Sequence, residues 1–150
     1  MTTEPSTTLS TPTGSGWTFL VLAWCVALVS TLAALFVGEV MGQVPCNLCW
    51  YQRAFMFPLA IILAVAAYRS DTCAVVYATP LAVGGWLVAA FHTLLYAGVI
   101  PEGIEPCGVG PSCSGADMTV GGVLPLPVVS LAAFTLIIAF LQFATRRPAR

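Results

Sequence analysis

The sequence predicts an all-α membrane protein, a bundle of four transmembrane helices with both termini on the cytoplasmic side. Three observations carry that prediction. The chain has 150 residues, 59% of them hydrophobic and only 7% charged, with a mean hydropathy of +0.94; a soluble domain of this length would need far more charge on its surface. Four apolar stretches reach the roughly 20 residues that a helix needs to cross a hydrocarbon core about 30 Å thick. The arginines that lie outside these stretches all fall on one side of them.

Taken in order, residues 1–16 (MTTEPSTTLSTPTGSG) are dense in Thr, Ser, Pro and Gly and are expected to form a disordered cytoplasmic tail. They lack the basic n-region of a signal peptide, and the apolar run behind them is too long for an h-region, so the first helix is expected to be retained. The helices are placed at about 17–38, 46–68, 74–97 and 123–144, forming one domain over 17–144, with a basic cytoplasmic tail at 145–150. The first, third and fourth contain no charged residue, and the second contains only Arg53. Arg69 lies between the second and third helices, and Arg146, Arg147 and Arg150 follow the fourth. With an even number of spans these positions share one side, which the positive-inside rule makes cytoplasmic. The opposite loops, about 39–45 and 98–122, carry Glu39, Glu102, Glu105 and Asp117 instead. A net charge of −1 and the absence of lysine give no footprint for nucleic acid.

This topology sorts the six cysteines. Cys46 and Cys49 fall at the outer end of the second helix, and Cys107 and Cys113 in the second outer loop, so two pairs face a compartment where disulfides persist. Cys25, mid-membrane, and Cys73, in a cytoplasmic turn, read as small apolar filler and an inert thiol. A Cys-x-x-Cys is a poor staple, because closing so short a loop removes little unfolded-state entropy. It is suited to exchange: Pro45 precedes Cys46, so the pair opens a helix whose unpaired N–H groups favour a thiolate. Arg53, four residues after Cys49 and seven after Cys46, shares their helical face. A guanidinium at that depth needs a partner or a task, or else snorkels to the interface.

The single histidine, His92, falls near the outer end of the third helix, about 7 Å below the interface at 1.5 Å per residue. His92 and Arg53 at one level beneath a dithiol suggest a polar pocket for a hydrophobic molecule with a redox-active head, a membrane quinone. A plain helix-to-helix hydrogen bond by His92 accounts for it equally well. The Cys107/Cys113 loop, rich in Gly and Pro, reads as a mobile surface segment, and its cysteines as either a loop staple or the mobile half of a relay.

The stretch PCNLCWYQRAFMFPL (45–59) resembles the signature of the DsbB/BdbC family of disulfide bond formation proteins. GIEPCGVGPSCSG (103–115) and LPLPVVSLAAF (124–134) are similar to its short-loop, BdbC-like branch. The resemblance implies a thiol:quinone oxidoreductase of the bacterial cytoplasmic (inner) membrane, which reoxidises a DsbA-like extracytoplasmic protein and feeds the respiratory chain through ubiquinone or menaquinone. It assigns Cys107 as the sulfur attacked by the partner, and Cys113 as the sulfur that passes electrons to Cys46. Cys49 becomes the thiolate facing the quinone, Arg53 the cation beside it, and His92 a quinone-proximal residue; no metal is implied. Asn47 stands where relatives carry an acid or an apolar residue. Against this reading stand a soft-metal protein using the four outer cysteines, a tetraspan adaptor with structural disulfides, and an enzyme of the vitamin K epoxide reductase type, which the order of the motifs fits less well.

Overall fold

The computed structural model describes residues 14–100, 119–120 and 124–145. Helix α1 spans Gly14–Leu35 and runs on as a wider π-helical segment, Phe36–Val40. Helix α2 spans Asn47–Arg69, α3 Val75–Tyr96 and α4 Leu126–Thr145. A short 3-10 turn, Thr72–Ala74, leads into α3. A two-residue antiparallel bridge pairs β1 (Thr119–Val120) with β2 (Leu124–Pro125) ahead of α4. All four helices are long and apolar enough to cross a membrane. The fourth begins at Leu126 rather than near 123, because residues 124–125 are committed to the bridge, and Pro127 is tolerated in a first turn whose N–H groups have no intrahelical partner.

The ends of the helices follow from local chemistry. Ser70 adopts the left-handed conformation (φ 54°), and Asp71 N–H donates to the Ala66 carbonyl at 2.9 Å, closing α2. At the other end of the bundle α3 stops the same way. Gly98, at φ +71°, supplies the left-handed residue, and the Val99 and Gly98 amides return to the Leu94 and Leu95 carbonyls.

Packing is cyclic: α1 lies against α2, α2 against α3, α3 against α4, and α4 against α1. Each helix thus packs against its neighbours in sequence, and the first against the last, as in an up-down-up-down bundle. The buried seam is built from small residues, among them Ala23, Ala27, Ala60, Ala78, Ala82 and Ala133, interleaved with Leu20, Leu59, Leu63, Phe134 and Ile137. Lipid offers helices no hydrophobic reason to associate, so close van der Waals approach between small side chains carries the association. Gly85 shows this plainly, since a Cβ there would overlap the Phe134 ring. Polar links add to it: Trp17 Nε1 donates to the Ala67 carbonyl at 3.0 Å, joining α1 to α2, and Trp86 Nε1 to Thr135 Oγ1 at 3.0 Å, joining α3 to α4. Large apolar side chains such as Val29, Leu32, Ile61, Tyr77 and Leu87 point outward, where lipid would cover them. Cys25 points outward as well, and Cys73 is exposed in its turn.

Candidate active site

At the end of the bundle where α2 starts and α3 finishes, a second, smaller buried cluster joins Cys46, Leu48 and Leu95. Cys46 is the N-cap of α2: its backbone is extended (φ −68°, ψ 168°) and its sulfur accepts the Cys49 amide at 3.4 Å. The thiol thus does what a Ser or Asp oxygen does at most helix starts. Pro45 has no N–H to carry a helix backward, and of the free N–H groups in the first turn beyond it that of Cys49 donates to the Cys46 sulfur. Three residues of helix bring Cys49 round to the same side, with the two sulfurs 3.1 Å apart. Cys46 is buried, at 1% exposure, whereas Cys49 is half-buried. Cys46 is thus the more completely enclosed residue of the two.

Behind the pair stands His92, fully buried, with Nε2 3.9 Å from the Cys46 sulfur. Its Nδ1 is 3.0 Å from the side-chain amide of Gln52, itself buried. Gln52 received no role from the sequence, and it is the residue that aims the imidazole. The signal was present, because an uncharged polar side chain inside an apolar span needs an internal partner. Cys46 lies at the cap, ahead of the membrane-spanning part of α2. The hydrogen bond with the Cys49 thiol holds the Cys46 thiol below the ordinary range, against its burial, and His92 and the Cys49 amide push the same way.

Arg53 turns to the other side of α2. Its guanidinium donates to the Ala34 carbonyl of α1 at 2.8 Å, and lies over the Trp50 ring at 5.5 Å. The Ala34 carbonyl lies two residues before the π segment, near the junction where the bonding pattern changes from i+4 to i+5. Gly38, within the segment, makes room: a Cβ there would stand 3.0 Å from the guanidinium. Gln52 and Arg53, adjacent in sequence, are about 100° apart around the helix, so one faces α3 and the other α1. The structure thus brings Cys46, Cys49 and His92 together, and places Arg53 on a neighbouring face with α1. Thr31, three residues before Ala34 on that α1 face, has a buried hydroxyl that is without a partner among the described residues. Cys107 and Cys113 lie outside the described residues. An open cleft lined by Ile61, Ile62, Val65, Arg69 and Asp71 is at the opposite end of the bundle and has no part in this chemistry.

A four-helix membrane bundle with a Cys-x-x-Cys dithiol capping its second helix, backed by a buried histidine, defines a class: a membrane-embedded dithiol protein built for thiol exchange. The comparisons with known proteins agree with that chemistry. The sequence model of the family described as Disulfide bond formation protein DsbB matches residues 15–144. The chain is 61% identical over 137 residues to a probable disulfide formation protein of Metapseudomonas resinovorans, covering 91% of this chain and 94% of the relative. It is 39% identical over 123 residues to disulfide bond formation protein C of Bacillus subtilis, covering 82% and 89%. It is also 39% identical over 139 residues to a probable disulfide formation protein of Deinococcus radiodurans, covering 87% and 90%. No solved structure is significantly similar to it. The chain belongs to the DsbB family of disulfide bond formation proteins, and is a disulfide-forming oxidoreductase of a bacterial membrane.

Proposed function

We propose that this protein is a thiol:quinone oxidoreductase that makes disulfides de novo and reoxidises a DsbA-like thioredoxin-fold protein outside the cytoplasm. The observation that carries the reading is the dithiol itself: two sulfurs 3.1 Å apart, one buried and one half-exposed, with Arg53 one helical turn inward of the half-exposed one. Arg69, at the opposite end of α2, supports an orientation with that dithiol on the extracytoplasmic side.

In this reading the partner's thiolate attacks a Cys107–Cys113 disulfide at Cys107, and Cys113 leaves as a thiolate. Cys113 then attacks the Cys46–Cys49 disulfide at Cys46, releasing Cys49 as a thiolate. Each exchange breaks one S–S bond and forms another. A bound ubiquinone or menaquinone supplies the terminal acceptor, taking two electrons and two protons. Arg53 balances the negative charge carried on the Cys49 side, and its hold on the Ala34 carbonyl fixes where that positive charge stands. The unpartnered Thr31 hydroxyl on the same face of α1 is a donor suited to a quinone oxygen, so the residues fit such a head group. His92 takes up or returns the Cys46 proton through Nε2. The Gln52 amide, which presents either its N–H or its oxygen to Nδ1, pairs with the imidazole in each protonation state. The partner's second thiolate displaces Cys107, which attacks Cys113, re-forms the Cys107–Cys113 bond and frees Cys46 as a thiolate. Cys46 and Cys49 then re-form their disulfide as the two electrons depart.

The test uses purified protein in lipid nanodiscs, a reduced DsbA-like donor, and either quinone. Wild type should oxidise one donor dithiol per quinone consumed, and Cys49→Ser should abolish consumption. Undiminished turnover by that variant would sink the relay.

A further inference from the structure

We propose that the reduced Cys46–Cys49 pair and His92 form a binding site for a thiophilic d10 cation of the Zn²⁺ type, and that occupation of this site arrests the dithiol in its reduced state. The site differs from a cage of the four outer cysteines: it needs neither Cys107 nor Cys113, and it takes its third ligand from α3. It goes beyond the quinone reading and uses only the dithiol state which that reading passes through.

The donor set comes first. The Cys46 and Cys49 sulfurs and a His92 ring nitrogen all lie within 4.8 Å of one another. The separations are 3.1 Å between sulfurs and 3.9 Å from the Cys46 sulfur to Nε2. A tetrahedral zinc, with Zn–S about 2.3 Å and Zn–N about 2.0–2.1 Å, holds two thiolates about 3.8 Å apart and a thiolate about 3.6 Å from a ring nitrogen. Relative to the Cys46 sulfur, the nitrogen is already within a few tenths of an ångström of its place. The sulfurs must part by less than 1 Å, which a rotation of the half-buried Cys49 side chain supplies.

Preorganisation comes next. A ligating histidine needs a free lone pair at one nitrogen and a proton, held by an acceptor, at the other. His92 is fully buried, its Nε2 faces the Cys46 sulfur, and the Gln52 side-chain nitrogen stands 3.0 Å from Nδ1. Turning that amide over presents its oxygen to an Nδ1 proton and leaves the Nε2 lone pair to the cation. The ring is thus positioned for ligation through Nε2, and the turn of the amide selects the ligating tautomer. Two thiolates neutralise a divalent cation, so the occupied site carries no net charge into its apolar surroundings of Leu48, Leu95, Val88 and Phe91. The protein supplies three ligands and leaves a fourth position open on the Cys49 side. Three protein ligands with one open position is a common zinc arrangement.

Binding takes both sulfurs as thiolates, displaces whatever thiol protons they still hold, and moves no electrons. Oxidation to the Cys46–Cys49 disulfide removes both thiolates and abolishes the site. A bound cation and disulfide formation are thus mutually exclusive, and a cation in the site withholds the electrons the pair would otherwise pass on.

The experiment titrates Cd²⁺ into the full-length protein, reduced with a phosphine and carrying Cys107→Ala and Cys113→Ala, and follows sulfur-to-cadmium charge-transfer absorption; Zn²⁺ is then added as competitor. The expected result is saturation at about one cation per chain, displacement by Zn²⁺, and loss of the signal on oxidation. His92→Ala should weaken binding by at least about 10-fold, and Gln52→Leu, which leaves all three ligands in place, by roughly 10-fold. Retained helicity in both variants separates loss of the site from loss of the fold. No saturable signal, or a signal with equal affinity in His92→Ala, would overturn the proposal. So would a signal that appears only when Cys107 and Cys113 are restored. Quinone reduction by cation-free wild type is measured alongside, so failure of the cation site and failure of the quinone reading are told apart.

Discussion

Gly38→Ala tests whether Arg53 acts as a fixed donor or merely as a nearby charge. A Cβ at residue 38 would stand 3.0 Å from one guanidinium nitrogen and 3.3 Å from the other. The tip of the arginine is the movable partner, so it withdraws by a few tenths of an ångström, which lengthens the 2.8 Å bond to the Ala34 carbonyl toward the long end of good geometry. Hydrogen bonds from charged groups contribute about 1.5–3 kcal/mol, so weakening this one by roughly half should raise the quinone KM about 3- to 10-fold. Charge alone gives a different number. At an effective dielectric of about 20, a unit charge moved from about 5.0 to 5.4 Å loses about 0.25 kcal/mol, or roughly 1.5-fold. The assay is steady-state quinone reduction at saturating reduced partner, with unfolding monitored in parallel. Stability should change by less than about 1 kcal/mol, since the better helix propensity of Ala offsets the contact. A KM change below about 2-fold would refute the anchoring argument and leave Arg53 as a point charge.

Three further expectations concern other parts of the molecule. Cys107→Ala should prevent trapping of a mixed disulfide with the DsbA-like partner while a small dithiol still reduces the Cys46–Cys49 pair; trapping that persists would move the first attack to another sulfur. In the reduced protein the thiolate absorbance of Cys46 should persist as pH falls through the ordinary thiol pKa of about 8.5, because its pKa is lowered, and be lost only at a lower pH. Cys49→Ala, which removes the largest cause of that shift, should return the loss toward the ordinary range, and an unmoved titration would discount the sulfur–sulfur bond. Gly85→Leu should destabilise the bundle by about 1–3 kcal/mol or more, because its side chain must displace the Phe134 ring; an unchanged unfolding midpoint in detergent would show that the α3–α4 seam is looser than its packing implies.

Much of this protein could be read from one strand of text. The four spans are legible because the bilayer demands continuous apolar runs of fixed length, a condition on composition alone. The reactive start of α2 is legible too, because Pro45 and the Cys-x-x-Cys spacing act within a single helical turn. Contacts between helices are another matter. Sequence placed His92 and Arg53 at one depth, but only the packed bundle decides that Gln52 carries His92 to the Cys46 sulfur while Arg53 turns to the Ala34 carbonyl. The wide turn at Phe36–Val40 and the space left by Gly38 are equally invisible beforehand. The reason is physical: which face meets which neighbour depends on the rotation and register of four helices at once. That arrangement is set by where small residues such as Gly85 and Ala82 let backbones approach, and not by any periodicity within one helix.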